Sequence, residues 1–378
     1  MTMHMYVCWG TFLDKPVTDK DTEEDTSEDG LRFGASAMQG WRVEMEDSHT
    51  IITAMPGLPN HSFVAVYDGH GGSMCATYAG KEMMRFLRAT PDYEAYVAQP
   101  AGGRNVELLC KALYTAYLDI DEALQKMRSR AFVTLLLPLL LTLLPPVPLL
   151  PPQVPEAQSA SERSGCTALS AVITPNHIVV AHAGDSRAII CSGGRVAAAT
   201  EDHKPYDAEE KARIEAAGGH VSMRRVDGDL AVSRALGDFQ YKSRDLLPRN
   251  CKVTCVPDTL VYRRTPGDEL LLLCCDGVWD VMNNDDCQRC AMEIFADGEA
   301  RVGLACEELI DTCLARGSRD NMSVVMVAFK ALKAGKGRGV AGRRAAREAE
   351  QAQKESRRDD PDFDPASAGN SSPPGRGV

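Results

Sequence analysis

Basic side chains are in short supply. The 378 residues carry 42 Lys and Arg against 53 Asp and Glu, a formal charge of −11, so no nucleic-acid partner is expected. A secretion signal is also lacking. Met1-Thr2-Met3-His4 has no basic-then-apolar layout, and without glycine at position 2 it offers, as written, no myristoylation site. The 13 cysteines are odd in number and scattered, without the framework of a disulfide-stapled domain. Several, such as Cys274-Cys275, sit inside apolar runs. These features point to a reducing compartment, cytoplasmic or nuclear. An uninterrupted membrane span is missing too. Ala131–Pro152 holds ten leucines and no charge, but its six prolines deny it a continuous helix of the required length of roughly 20 residues. No transmembrane anchoring is expected.

What the chain does have is a dense middle. Residues 1–30 read as a disordered lead-in, with seven acids and one lysine between Asp19 and Asp29. Residues 31–329 read as one globular catalytic region interrupted by the Leu/Pro-rich stretch 131–155. From Lys330 the chain reads as a disordered charged tail. Short β-rich runs at Phe63–Tyr67, Thr167–Ile173, Ile178–Ala183, Ala188–Cys191, Glu269–Cys275 and Met322–Phe329 are separated by turn residues. The second, third and fourth of these, joined by tight turns, predict an antiparallel meander. Helical patterns occupy Gly72–Arg88, Asn105–Met127, Asp207–Ala217 and Arg301–Arg316. Strands and helices cluster rather than alternate, which predicts an α+β fold with antiparallel sheet.

Carboxylates recur at strand ends and in glycine turns: Glu44-Met45-Glu46-Asp47, Asp68-Gly69-His70, Asp276-Gly277-Val278-Trp279-Asp280 and Arg319-Asp320-Asn321. Hard divalent cations favour such oxygen ligands, and glycine lets the backbone approach closely. Each fragment alone has a plainer reading. Asp-Gly also makes hairpin turns, His70 also serves as a turn histidine, and Arg42 also pairs with Glu44 or Asp47.

Together and in order, the runs are specific. Met38-Gln39-Gly40-Trp41-Arg42-Val43-Glu44-Met45-Glu46-Asp47, Val66-Tyr67-Asp68-Gly69-His70-Gly71-Gly72, Ser164-Gly165-Cys166-Thr167-Ala168, Ala183-Gly184-Asp185-Ser186-Arg187, Ser233-Arg234-Ala235-Leu236-Gly237-Asp238, Cys275-Asp276-Gly277-Val278-Trp279-Asp280 and Ser318-Arg319-Asp320-Asn321-Met322-Ser323 resemble the protein phosphatase 2C family. The resemblance spans about Leu31 to Phe329, apart from the Leu/Pro-rich segment.

It implies two packed antiparallel β-sheets flanked by helices, and a cleft holding two Mn²⁺ or Mg²⁺ ions. Glu46, Asp68, the Gly69 carbonyl, Asp276 and Asp320 would be their ligands, with Asp68 bridging. Asp185 and Asp280 would help hold a weaker third ion, and Asp47 would orient water. A water activated between the ions would hydrolyse phosphoserine and phosphothreonine in proteins. Arg42 would bind the phosphate and His70 would protonate the leaving oxygen. No cysteine nucleophile is needed. The partners implied are phosphoprotein substrates, and the enzyme is expected to act as a monomer. The stretch His203–Lys242 resembles the family's flap, a loop region expected to set substrate choice. Two alternatives remain: the same fold used as a non-catalytic binding module, and a membrane-anchored regulator.

Ala131–Pro152 lies just before Ser164, where a helix should pass into a core strand. Its residues have pyrimidine-rich codons and Gln153 follows, as in a translated intron end; a Pro-rich surface loop is the other reading. In either case, deleting 131–152 is expected to leave metal-dependent activity intact and raise solubility. An unfolded deletion protein, detected by circular dichroism, would place the segment inside the core.

Overall fold

A computed structural model describes residues 12–141 and 163–358. The strands are β1 (Phe12–Thr26), β2 (Arg32–Arg42), β3 (Ser48–Ile52), β4 (Ser62–Tyr67), β5 (Gly69–His70), β6 (Gly165–Cys166), β7 (Ala168–Ile173), β8 (His177–Ala183), β9 (Arg187–Ser192), β10 (Arg195–Ala199), β11 (Val221–Ser222), β12 (Arg225–Val226), β13 (Leu236–Gly237), β14 (Asp258–Arg263), β15 (Asp268–Cys274) and β16 (Met322–Ala328). The helices are α1 (Met74–Arg88), α2 (Pro91–Ala98), α3 (Val106–Leu141), α4 (Ala208–Ala216), α5 (Asp276–Trp279), α6 (Asn284–Ala296), α7 (Val302–Ala315) and α8 (Gly339–Arg358).

Two antiparallel sheets stack. One has the order β1-β2-β16-β15-β9-β10 and the other β14-β8-β7-β4-β3. The apolar runs explain why both are interior layers. Along β15, Leu270, Leu272 and Cys274 face α6 and α7, while Leu271, Leu273 and Cys275 face the other sheet. Along β4, Phe63, Ala65 and Tyr67 face α1 and α3, while Val64 and Val66 point between the sheets. A strand buried on both faces loses polar alternation and reads as a continuous hydrophobic run. The layers are therefore helices, sheet, sheet, helices.

Four expectations are corrected. The meander reaches only β7 and β8, which pair antiparallel. Beyond Gly184-Asp185-Ser186 the chain crosses to the other sheet, where β9 pairs with β15. Gly184 has φ +120°, a conformation that suits glycine and lets the chain change layers. The lead-in is not disordered from Phe12 onward. It forms the edge strand β1, whose charges suit an edge exposed to water and whose polar contacts pin it: Lys20 to Asp311 at 2.6 Å, and the Gly303 amide to Glu24 at 2.7 Å.

The helix predicted to end near Met127 continues to Leu141 through Pro138, because leucine is a strong helix former. Residues 142–155 of the Leu/Pro-rich stretch lie outside the described residues. The tail contains α8, whose arginines lie on an acidic face. Arg343 meets Asp297 at 2.6 Å, and Arg347 donates at 2.8 Å to Glu308, a fully buried carboxylate. Residues 359–378 are also outside the described set. A C-x-x-C spacing at Cys287–Cys290 is core, both thiols buried on α6. Among the described residues no helix is long and apolar enough to cross a membrane.

Between β10 and β14 lies a segment with its own small core of Ile214, Val226, Val232, Ala235, Tyr241 and Val253. Glu210 fastens it. Arg234 donates to Glu210 at 2.8 Å and Arg213 stands 2.8 Å away. Burial would raise the Glu210 carboxyl, but the two guanidiniums pull it down to about 2. A depressed acid contributes stability that is complete above its ordinary pKa of about 4.5 and is lost as pH falls toward 2. Glu210→Gln should therefore lower stability at pH 7 by about 1–3 kcal/mol, and its urea midpoint should fall less than the parent's between pH 4.5 and 2. Parallel midpoints across that range would contradict the assignment.

Candidate active site

The carboxylates meet where strands end at one edge of the sandwich. Asp68 closes β4. Asp276 follows β15 and opens α5, while Asp320 precedes β16, the partner of β15 in an antiparallel pair. Asp47 precedes β3, and Asp185 sits in the crossover between β8 and β9. Close approach requires glycine at two points. A Cβ on Gly69 would lie 2.1 Å from the Glu46 carbonyl oxygen, and one on Gly277 would lie 2.1 Å from that of Asn321.

Arg42 donates from Nη2 to Asp320 Oδ2 at 2.5 Å. Its partner is thus a site aspartate rather than Glu44 or Asp47. Glu46 Oε1 accepts from the Gly72 amide at 2.5 Å. Asp47 Oδ2 accepts from Ser323 Oγ at 2.7 Å, while its buried Oδ1 has no partner. Lys204 Nζ donates to Asp185 Oδ2 at 2.7 Å, and Asp185 Oδ1 is likewise buried and unpartnered. The His70 ring bonds through Nε2 to Asp238 Oδ2 at 2.7 Å.

These acids repel one another. Burial first, then Asp276, Asp47, Asp185 and Asp320, hold the Asp68 carboxyl well above its ordinary range. Burial first, then Asp185, Asp320 and Asp280, do the same to Asp276. Asp47 is pushed up to about 6, chiefly by burial, and Asp280 is raised by burial and by its acidic neighbours. Burial would lower His70, but Asp238 overrides it and raises the ring. Among the described residues, no three His, Cys, Asp or Glu form a cluster already set to hold a metal. Two of the acids, Asp320 and Asp185, instead each pair through one oxygen with a protein cation, Arg42 and Lys204. The thiols of Cys166, Cys274 and Cys275 are driven well above their ordinary range by burial, so none is a nucleophile.

Of the residues singled out from the sequence, Arg42, Asp185, Asp276, Asp280 and Asp320 line one cleft, and four further residues touch the set. Lys204 reaches Asp185, Ser323 orients Asp47, and Asp238 holds His70. Asn321 ties the site together. Its Oδ1 accepts from the Glu46 amide at 3.0 Å, and its Nδ2 donates to the carbonyls of Gln39 at 2.8 Å and Glu44 at 3.0 Å. Asn321, Ser323 and Asp238 lie within the diagnostic runs, but only the pairing of distant strands shows what they touch. A cleft of about 970 Å³ opens from Arg42, Asp276 and Asp320 toward Tyr206 and Arg224.

A stacked pair of antiparallel sheets with helices outside thus carries a cleft of mutually repelling carboxylates at the sheet edge. Comparison makes the class definite. The sequence profile of protein phosphatase 2C matches residues 31–137 and 150–322. The chain is 40% identical over 328 residues to mouse protein phosphatase 1B, covering 85% of this chain and 75% of that protein. It is 39% identical over 326 residues to human protein phosphatase 1A, covering 85% and 76%. Among solved structures, the serine-threonine phosphatase 2C of Toxoplasma gondii shares the fold, with a TM-score of 0.64 at 24% identity over 82% of this chain and 99% of that one. The chain belongs to the protein phosphatase 2C family. It is a protein serine/threonine phosphatase.

Asn321→Ala would release two loop segments at once. Stability should fall by about 1–3 kcal/mol, and phosphatase activity should fall with it even at temperatures where the variant stays folded. Full activity in a folded variant would show that Glu46 does not depend on this anchor.

Proposed function

We propose that the chain hydrolyses phosphoserine and phosphothreonine in proteins at this cleft, using Mn²⁺ or Mg²⁺ held by Glu46, Asp68, the Gly69 carbonyl, Asp276 and Asp320, with Asp185 and Asp280 serving a weaker third ion. The observation that carries the reading is the convergence of carboxylates in a half-buried cleft where Asp47 Oδ1 and Asp185 Oδ1 are buried without partners. Orphaned, mutually repelling oxygens are costly unless cations satisfy them, and an all-oxygen donor set suits hard divalent ions. Such ions, when bound, neutralise charge on the phosphoryl oxygens and acidify a water for in-line attack.

The protein groups do the rest. The Arg42 guanidinium, now on Asp320, presents a fork that matches phosphate oxygens. Asp47, steadied by Ser323, offers Oδ1 as acceptor to the attacking water. His70 supplies a proton to the departing serine or threonine oxygen. The catalytic domain in this reading is 31–329, with 131–155 an insertion. Two facts support the insertion: the family match skips 138–149, and the catalytic groups lie on elements before and after it.

With a phosphothreonine peptide, activity should require added Mn²⁺ or Mg²⁺, vanish with EDTA and survive thiol alkylation. Asp68→Ala should reduce turnover by about 10³-fold or more with the fold retained, since it removes a carboxylate that would hold the metal. Turnover that persists after complete chelation would refute the mechanism.

A further inference from the structure

Asp238 is an expensive residue to build. It is buried to 1% exposure and adopts φ 51°, ψ 39°, the left-handed region unusual for a side-chain-bearing residue. Its Oδ1 is buried with no partner. Its Oδ2 is committed to His70 Nε2 at 2.7 Å. The neighbouring cation, Lys242, is already bound to Asp121 at 2.7 Å and to the Ala235 carbonyl at 2.8 Å. A buried acid with one hydrogen-bonded partner is a poor stabilising device.

The backbone is arranged around this contact. Strands β13, β6 and β5 form a three-stranded sheet with β6 in the middle. Gly165 of β6 pairs with His70 on one side and Gly237 on the other. A Cβ on Gly165 would lie 2.2 Å from Asp238 Oδ2 and 2.6 Å from His70 Nε2. The missing side chain is therefore the opening through which the two groups touch. The Asp238 backbone is fixed on both sides: its amide donates to the Ser164 carbonyl at 3.1 Å, and its carbonyl accepts from the Tyr241 amide at 2.9 Å.

We propose that Asp238 is the positioning residue for the general acid, gripping His70 Nε2 across the gap at Gly165 so that Nδ1 is the nitrogen that protonates the leaving oxygen. This rests on His70 acting as the acid. In the step, water oxygen bonds to phosphorus and the P–O bond to serine or threonine breaks. The departing oxygen takes the Nδ1 proton, and the ring is left neutral with its Nε2 proton still on Asp238. Solvent then restores the Nδ1 proton.

The test compares a phosphothreonine peptide with 4-nitrophenyl phosphate, whose leaving group needs little protonation. For Asp238→Asn, kcat on the peptide should fall at least about ten-fold more than on the aryl phosphate, a modest share of what general acid catalysis supplies. In a His70→Ala background the same change should cost nothing further on the peptide. Equal losses on both substrates, or additive losses in the double variant, would overturn the proposal while leaving His70 as the acid. If His70→Ala itself shows no preference between the substrates, the acid assignment fails and the positioning role falls with it. A wild-type measurement guards against variants that do not fold. In the ¹⁵N NMR spectrum of histidine-labelled enzyme, His70 Nε2 should carry a hydrogen-bonded proton, and an unprotonated Nε2 would refute the grip.

Discussion

Repulsion among the carboxylates at one edge of the sandwich is the constraint that the rest of the structure answers. Asp47, Asp68, Asp185, Asp276 and Asp320 come from five places in the chain, and their burial and crowding raise the carboxyls of Asp47, Asp68 and Asp276. Left to themselves, such groups would separate. They stay together because Asp68, Asp185, Asp276 and Asp320 are attached to the ends of strands buried on both faces, and Asp47 is tied to β16 through Ser323. The cost of crowding acids is thus offset by the apolar layers behind them, where the inner faces of β4, β15 and β16 interlock. Arg42 and Lys204 relieve part of the charge, on Asp320 and Asp185. The oxygens they leave unpartnered on Asp47 and Asp185 mark where the site still lacks a positive partner.

Crowding demands close backbone approach as well as a rigid frame, and glycines at separate points meet that demand. Gly69 and Gly277 let carbonyls of distant loops lie against the strand ends, and Gly165 opens a path between two side chains. A methyl group at any of the three would meet oxygen or nitrogen atoms at 2.1–2.6 Å. Their requirement is therefore steric, and at Gly165 the displaced atoms belong to the reacting machinery itself.

The sequence made much of this legible. The doubly buried strands announced themselves as apolar runs, and Asp68-Gly69 and Asp276-Gly277 at their ends showed where carboxylates would gather. Where polar patterning competes with tertiary packing, the sequence was silent. β1 has a solvated-loop composition because it is an edge strand, and tertiary contacts give it order: the antiparallel pairing with β2 and the contacts of Lys20 and Glu24 to α7 among them. β9 was placed in the wrong sheet because a tight turn looks the same whether the chain folds back or crosses layers. α8 has few apolar residues, and its docking depends on acids of α7 that no local window contains. The roles of Asn321 and Asp238 were hidden for the same reason: what each touches is set by partners more than a hundred residues away.

A site held this stiffly has to admit varied protein surfaces, and the fold separates the two demands. The reactive groups stand on the stacked sheets. The segment from β10 to β14, which overhangs the cleft with Tyr206 and Arg224, has a core of its own. It is joined to the body by the pairing of β13 with β6 and by Leu236 and Cys255, which enter the neighbouring core, and also by polar ties. Arg234 bridges Glu210 to Asp258 of β14 at 2.8 Å each, and His203 reaches the same Asp258 at 3.0 Å. Such ties are directional and replaceable by water, unlike the apolar contacts between the sheets. Changes at its exposed positions, such as Tyr206 and Arg224, can therefore alter which phosphoprotein fits while the strand ends stay in place. Two residues of the segment reach the site itself: Lys204, on Asp185, and Asp238. The latter lies at the end of this segment yet reaches back through Gly165 to His70, so the segment that meets the substrate also holds the group that gives up the proton.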